Sequence, residues 1–367
     1  MTQLNSLDFD PNKLTLTWAD GSSSQFHAVW LRDNVLEEDA RHKNGQRLFD
    51  WSELPRDFSM KSAEVDGDTI KINFNAEDRQ SSYPIEWLKT YAYDNQAPEK
   101  SYEIWGKDLD LSLIYHDYKE VKKGGQAMCD WLKSVRKYGF GIIQNVPQEE
   151  GTVLNILNSF GFVRETNYGK LFEVRTEENP NNLAFTPLGL NVHTDNPYRD
   201  PVPGLQALHC LESNNDGGES VFVDGYNVAE LLRQEEPIYF DLLSSYHANF
   251  RFCDGKADLK NRATVIGVDN FGHFTHILYN NRSAAPLNLP ANVMEDYYIA
   301  LLAYSDMLHR EEVEVLFKLK QGELVLFDNE RVLHGRKGFA GGKRHLQGSY
   351  ADKDSLNSWI NIWEAKQ

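Results

Sequence analysis

The chain has 367 residues, 41% of them hydrophobic and 25% charged, the profile of a folded globular protein with length for about two domains. Its 38 basic and 55 acidic side chains leave a formal net charge of −17, which repels nucleic-acid backbones and anionic lipid and sets both aside as partners. Cys129, Cys210 and Cys253 stand far apart in no metal-binding spacing, so neither a disulfide framework nor a cysteine zinc site is expected.

In chain order, residues 1–95 read as a small β domain. Leu14–Trp18 alternates polar and apolar, meets the turn pair Asp20-Gly21, and resumes toward Phe26–Trp30. A second pair of runs, from Ala63 and from Thr69 to Phe74, flanks Asp66-Gly67. Residues 96–118 carry Pro98, mixed charge and little periodicity, and read as a linker. From 119 to 367 the pattern changes. Met128, Trp131, Leu132, Val135 and Tyr138 recur at helical spacing, Gly139–Val146 reads as a strand, and Val153–Phe160 as a helix. Short strand-like runs follow at 171–175, 204–211, 219–223, 247–252, 263–267, 273–279, 315–319 and 323–327, interrupted by a helix at 291–309. Many short strands with few helices predict a mainly β fold, a sandwich or jelly roll. No basic-then-apolar leader or apolar run of ~18 residues appears, which makes the cytoplasm the expected location.

His193-Thr194-Asp195 is the most informative tripeptide. On a strand, residues two apart share a face, so the imidazole and the carboxylate would enter one cavity. His334, after the apolar run ending at Phe327, offers a third ligand. Two histidines and one carboxylate leave coordination positions open, the arrangement of non-haem iron(II) oxygenases. Arg344 lies ten residues beyond His334 and has the fork geometry to pair with the far carboxylate of a 2-oxoacid. If 344–350 is a strand, Arg344 and Tyr350 face the same way.

With these residues in view, the sequence resembles the γ-butyrobetaine hydroxylase and trimethyllysine dioxygenase group of 2-oxoglutarate oxygenases. The resemblance runs through Trp30–Asn34, Asn167–Gly169, His193–Asp195, Gly204–Cys210, Gly217–Gly225, Asn280-Asn281, Phe327–Asn329, His334–Arg336 and Arg344–Asp352. It implies a double-stranded β-helix (jelly roll) with flanking helices behind a small N-terminal β domain, commonly as a homodimer. It implies iron(II) held by His193, Asp195 and His334, 2-oxoglutarate anchored by Arg344, and dioxygen as the oxidant. Family members hold a trimethylammonium head in an aromatic cage, which by motif position is Tyr168, Phe172, Phe185 and Tyr350 here. Asn182 and Asn281 match positions that bind the anionic end of the substrate.

The sequence departs from the group in three places. Relatives often bind zinc in the first domain through three cysteines and a histidine. Those positions read Val35, Glu37, Ala40 and Arg79 here, so no zinc is expected. Asn196 follows the metal aspartate where a tyrosine is usual. Arg282 follows Asn280-Asn281 and suits a dianion such as a phosphonate better than a carboxylate. The expected activity is hydroxylation of γ-butyrobetaine or 2-trimethylaminoethylphosphonate, with release of succinate and carbon dioxide. The competing readings are a trimethyllysine-type dioxygenase, a non-catalytic metal-binding betaine sensor, and an interaction module built on the β domain.

Overall fold

Alternation of apolar and polar residues builds the N-terminal unit. In the computed structural model, which describes residues 4–77, 79–93, 100–175 and 188–367, the chain divides into units Met1–Pro98 and Glu99–Gln367. The first unit holds two three-stranded antiparallel sheets: β1 (Leu4–Asp10), β2 (Lys13–Trp18) and β3 (Ser23–His27), then β4 (Met60–Asp66), β5 (Thr69–Phe74) and β6 (Gln80–Pro84). Leu14, Leu16 and Trp18 of β2 and Ile70, Ile72 and Phe74 of β5 turn every second side chain into one buried cluster. Trp30, read as part of a strand, lies instead in helix α1 (Ala28–Asp33). Val35 and Ala40 are buried and offer no ligand atom, Glu37 accepts the Ser82 N–H at 2.8 Å, and Arg79 donates to Asp39 at 2.7 Å.

The second unit contains, in chain order, β7 (Tyr115–Asp117), β8 (Phe140–Gln144), β9 (Val163–Arg164), β10 (Phe172–Arg175), β11 (Leu190–His193) and β12 (Leu205–Ser213). It continues with β13 (Asp216–Gly217), β14 (Ser220–Asp224), β15 (His247–Cys253), β16 (Asp258–Thr264), β17 (Ile266–Val268) and β18 (Phe274–Ile277). The last strands are β19 (Glu314–Phe317), β20 (Leu324–Asp328), β21 (Val332–Arg336), β22 (Phe339–Ala340) and β23 (Arg344–Ala351). The larger sheet runs β10-β23-β12-β20-β8-β7, with β9 on β23, and the smaller runs β11-β21-β14-β19. Together they make the jelly roll. Phe222 of the smaller sheet packs edge-on against Phe140 and Phe327 of the larger, at centroid distances of 5.1 and 5.2 Å, which closes one end of the space between the sheets.

The segment read as a linker, 96–118, is corrected over its described residues. Trp105 and Ile114 are buried in the second unit's core, the Trp105 indole donates to the Tyr138 carbonyl at 2.6 Å, and β7 pairs with β8. The sequence had marked this stretch as loose because its two anchors are too far apart to show periodicity. Helices from Gly225 to Glu235, Pro237 to Ser245 and Lys353 to Glu364 add to those expected. Among the described residues no helix is long and apolar enough to cross a membrane.

Candidate metal centre

His193 and His334 are brought side by side by sheet pairing. β11 and β21 run antiparallel with these two residues in register, and the ring centroids lie 4.4 Å apart. The close approach needs Gly335, where a Cβ would sit 2.5 Å from the Leu190 carbonyl oxygen. Asp195 arrives differently from the strand alternation expected of His-x-Asp. β11 ends at His193, and the following turn is built by hydrogen bonds rather than by a ladder. The Thr194 N–H donates to the Tyr279 carbonyl at 2.8 Å, and the Asn280 amide donates to the Thr194 carbonyl at 2.9 Å. Buried Asn329 accepts the Asp195 N–H at 2.7 Å and donates to the carbonyls of Asp195 and Pro203, each at 2.9 Å. Asn196 completes the turn at φ 55°, in the left-handed region that asparagine tolerates.

The result is a donor set within reach of one ion. His193 Nε2 lies 3.3 Å from Asp195 Oδ1, His334 Nε2 lies 3.8 Å from Asp195 Oδ2, and one ligand atom from each residue falls within 4.8 Å of the others. His193 Nδ1 is 2.8 Å from the Asn191 carbonyl, which can only accept, so the proton sits there and Nε2 keeps its lone pair. Burial, with His193 beside it, pushes the His334 imidazole down to about 3 and keeps it a neutral donor. Burial opposes the charge of Asp195, but the close polar contact with the His193 ring and the neighbouring groups outweigh it and hold the carboxyl below its ordinary range. Two imidazoles and one carboxylate are a fitting donor set for iron(II).

The three groups open onto a cavity of about 430 Å³ between the two sheets. Strand β23 places Arg344 and Tyr350 on its cavity face. The Arg344 guanidinium makes no hydrogen bond or ion pair among the described residues. Burial, then the adjacent Arg336, lowers it to about 10, so it remains a cation at neutral pH. Tyr350 donates to Asp195 Oδ2 at 3.1 Å and stacks on Phe172 at 5.0 Å. Phe172 lies over Gly348, its partner in register, where a Cβ would meet the ring at 2.3 Å. Tyr168 also lines the cavity, its hydroxyl 3.1 Å from that of Tyr198. Arg282 lines the cavity as well, its guanidinium lowered by burial and supported by the charge of Asp195.

Not every expected substrate residue is gathered here. Asn281 does not line the cavity, because its amide donates to the Tyr279 hydroxyl at 3.1 Å; its neighbour Asn280 lines it instead. Asn182 and Phe185 lie outside the described residues. Tyr198 and Phe252, stacked at 5.1 Å, extend the aromatic wall and were missed by sequence reasoning. Phe252 follows Ala248 and Phe250 at period two along β15, a signal that was available; Tyr198 sits in a turn with no periodicity to betray it.

A jelly roll whose inter-sheet cavity ends at two imidazoles and a carboxylate defines a 2-oxoglutarate-dependent dioxygenase that uses iron(II). The comparisons agree: residues 110–350 match the Taurine catabolism dioxygenase TauD, TfdA family, and residues 6–89 match the Gamma-butyrobetaine hydroxylase-like N-terminal model. The chain belongs to the TauD, TfdA family. It is 36% identical to the gamma-butyrobetaine dioxygenase of Pseudomonas sp. (strain AK-1), over 95% of this chain and 93% of that one. It is 30% identical to the gamma-butyrobetaine dioxygenase of Homo sapiens (95% and 94% covered). The trimethyllysine dioxygenase of Meyerozyma guilliermondii is 27% identical (96% and 94% covered).

Proposed function

We propose that His193, Asp195 and His334 hold iron(II), that Arg344 pairs with the far carboxylate of 2-oxoglutarate, and that the cavity takes a small trimethylammonium compound with an anionic end. The observation that carries the substrate class is the aromatic wall beside the triad. Tyr168, Phe172, Tyr198, Phe252 and Tyr350 line the cavity, and among the described residues its one acidic side chain besides Asp195, Glu173, is engaged by His345 at 2.5 Å and Gln347 at 2.9 Å. π faces without a free carboxylate favour a bulky, weakly hydrated cation over a primary ammonium, which would lose strong hydrogen bonds to water. At the other end Arg282, with Asn280 beside it, offers donors for an anion. γ-Butyrobetaine and 2-trimethylaminoethylphosphonate both meet these demands.

Bound iron with 2-oxoglutarate and dioxygen supplies the oxidising power that hydroxylates a C–H bond and yields succinate and carbon dioxide. The chain's own part is placement. The aromatic wall fixes the cationic head, Arg282 fixes the anion, and the carbon held between them is presented to the metal. Tyr298, Ile299 and Leu302 stand exposed on one face of the helix Ala291–Leu308, an apolar patch that supports the homodimer implied by the resemblance. A cytoplasmic location completes the proposal.

A mass-spectrometric screen with iron(II), 2-oxoglutarate and oxygen tests the substrate. Both trimethylammonium compounds are expected to gain one oxygen, and the corresponding primary amines to react far less efficiently. Equal efficiency for amine and trimethylammonium forms refutes the aromatic selection, and turnover of trimethyllysine alone moves the chain to the other branch of its relatives. Arg282→Ala should harm the phosphonate more than the carboxylate; an unchanged ratio removes that arginine's role.

A further inference from the structure

Gln206 lines the same cavity and nothing described so far employs it. It is 2% exposed, its side-chain oxygen is buried without a hydrogen-bond partner, and its amide makes no side-chain hydrogen bond among the described residues. A buried amide left in this state is costly unless a bound molecule completes it. Sheet register fixes its place. On β12, Gln206 stands between Tyr350 of β23 and Phe327 of β20. Tyr350 reaches Asp195 Oδ2 at 3.1 Å, and the Phe327 ring packs 4.8 Å from that of His334. Gln206 therefore sits level with the triad, while Arg344 marks the other end of β23.

The strip between them is apolar. Leu208 and Leu346 line it and can offer a ligand no polar contact. The rings of Tyr168, Tyr198 and Phe252 come from segments outside this sheet, whereas Phe172 and Tyr350 share it with Gln206, and the row Gln206, Leu208, Leu346 and Arg344 runs along the same two strands. Resting on the assignment of the triad and Arg344, we propose that Gln206 is a further binding residue for the 2-oxoacid. Its amide N–H donates to the carboxylate next to the keto group, at the metal end, while Arg344 takes the far carboxylate. The two ends of a primary amide exchange by a half-turn, so the donor can face the ligand. A hydrogen bond to a carboxylate is charge-assisted and stronger than a neutral one.

Calorimetric titration of 2-oxoglutarate, and of 2-oxobutanoate (which lacks the far carboxylate), into the manganese(II)-loaded full chain tests this. Gln206→Leu should weaken both oxoacids by a similar factor, roughly ten-fold or more. Arg344→Met should weaken 2-oxoglutarate alone. Gln206→Glu, close in shape but anionic, should weaken both at least as much as the leucine variant. In the anaerobic iron(II) protein with 2-oxoglutarate, Gln206→Leu should also shift the visible absorption band. Thermal unfolding without ligands separates binding from folding: Gln206→Leu should hold or raise the melting temperature, since it removes an unpartnered amide. Unchanged oxoacid affinity with an unmoved band, or weakening confined to the cationic substrate, overturns the proposal. Retention of metal by Asp195→Ala instead overturns the triad assignment on which it rests.

Discussion

Replacing Asn329 with alanine removes the amide that fastens the turn carrying Asp195 to the end of β20. Three hydrogen bonds disappear, from the Asp195 N–H at 2.7 Å and to the carbonyls of Asp195 and Pro203 at 2.9 Å. The side chain is fully buried, so water does not replace them without rearrangement. At ~1 kcal/mol net for each bond, the variant should lose about 3 kcal/mol of stability, with the unmet groups adding to the loss. That is a large share of the ~5–15 kcal/mol that holds a typical domain together. The same loss frees the Asp195 backbone, so manganese(II) affinity should fall as well, at least ten-fold. Urea unfolding of the metal-free protein reads the first effect and metal titration of the folded protein the second. An unchanged urea midpoint refutes the energetic reasoning. A lowered midpoint with unchanged metal affinity shows that the turn holds Asp195 without Asn329.

Three further expectations come from other parts of the molecule. His209 is fully buried, neither ring nitrogen has a partner among the described residues, and burial pushes it down to about 4. The unfolded chain therefore binds its proton first as pH falls, and stability present above about 6.5 drains away toward 4. His209→Leu should lose less stability than the parent between pH 7 and 5 in urea melts, by roughly 2 kcal/mol; parallel loss in both removes His209 as a cause. Tyr350→Phe keeps the ring over Phe172 but deletes the hydroxyl on Asp195, so it should weaken metal binding while leaving the Michaelis constant for the cationic substrate nearly unchanged. The reverse pattern in kinetics and metal titration contradicts that division. With Val35, Glu37, Ala40 and Arg79 at the positions where relatives carry zinc ligands, elemental analysis should find no stoichiometric chelator-resistant zinc.

The sequence disclosed the metal site more fully than the substrate site, for a physical reason. His193, Asp195 and His334 are residue types whose chemistry announces itself, and Arg344 and Tyr350 share the cavity face of β23 as period-two alternation requires. Even there the local reasoning was incomplete, since Asp195 reaches His193 through a turn tied to Tyr279, Asn280 and Asn329 rather than along a strand. Those ties cross 85 to 134 positions of sequence, which no window of periodicity spans. Asn281 was placed in the site by motif position alone, and its hydrogen bond to Tyr279 takes it elsewhere. Gln206 was hidden for a related reason: in a strand of mostly buried residues, one glutamine reads as ordinary until its missing partner is seen.

The flat spot under Phe172 bears on how this scaffold can change its diet. Because a single methyl at Gly348 would strike the ring at 2.3 Å, the ring must swing away, and the cavity is the open space beside it. One nucleotide change can thus alter the room available to the ligand without touching the strands that carry His193 and His334, since Gly348 lies in the other sheet. The ring and the two metal-ligating histidines are mounted on separate walls, although Arg344 shares β23 with Gly348. A lineage carrying this architecture can change the room for small guests in single steps while His193 and His334 keep their places on the opposite sheet.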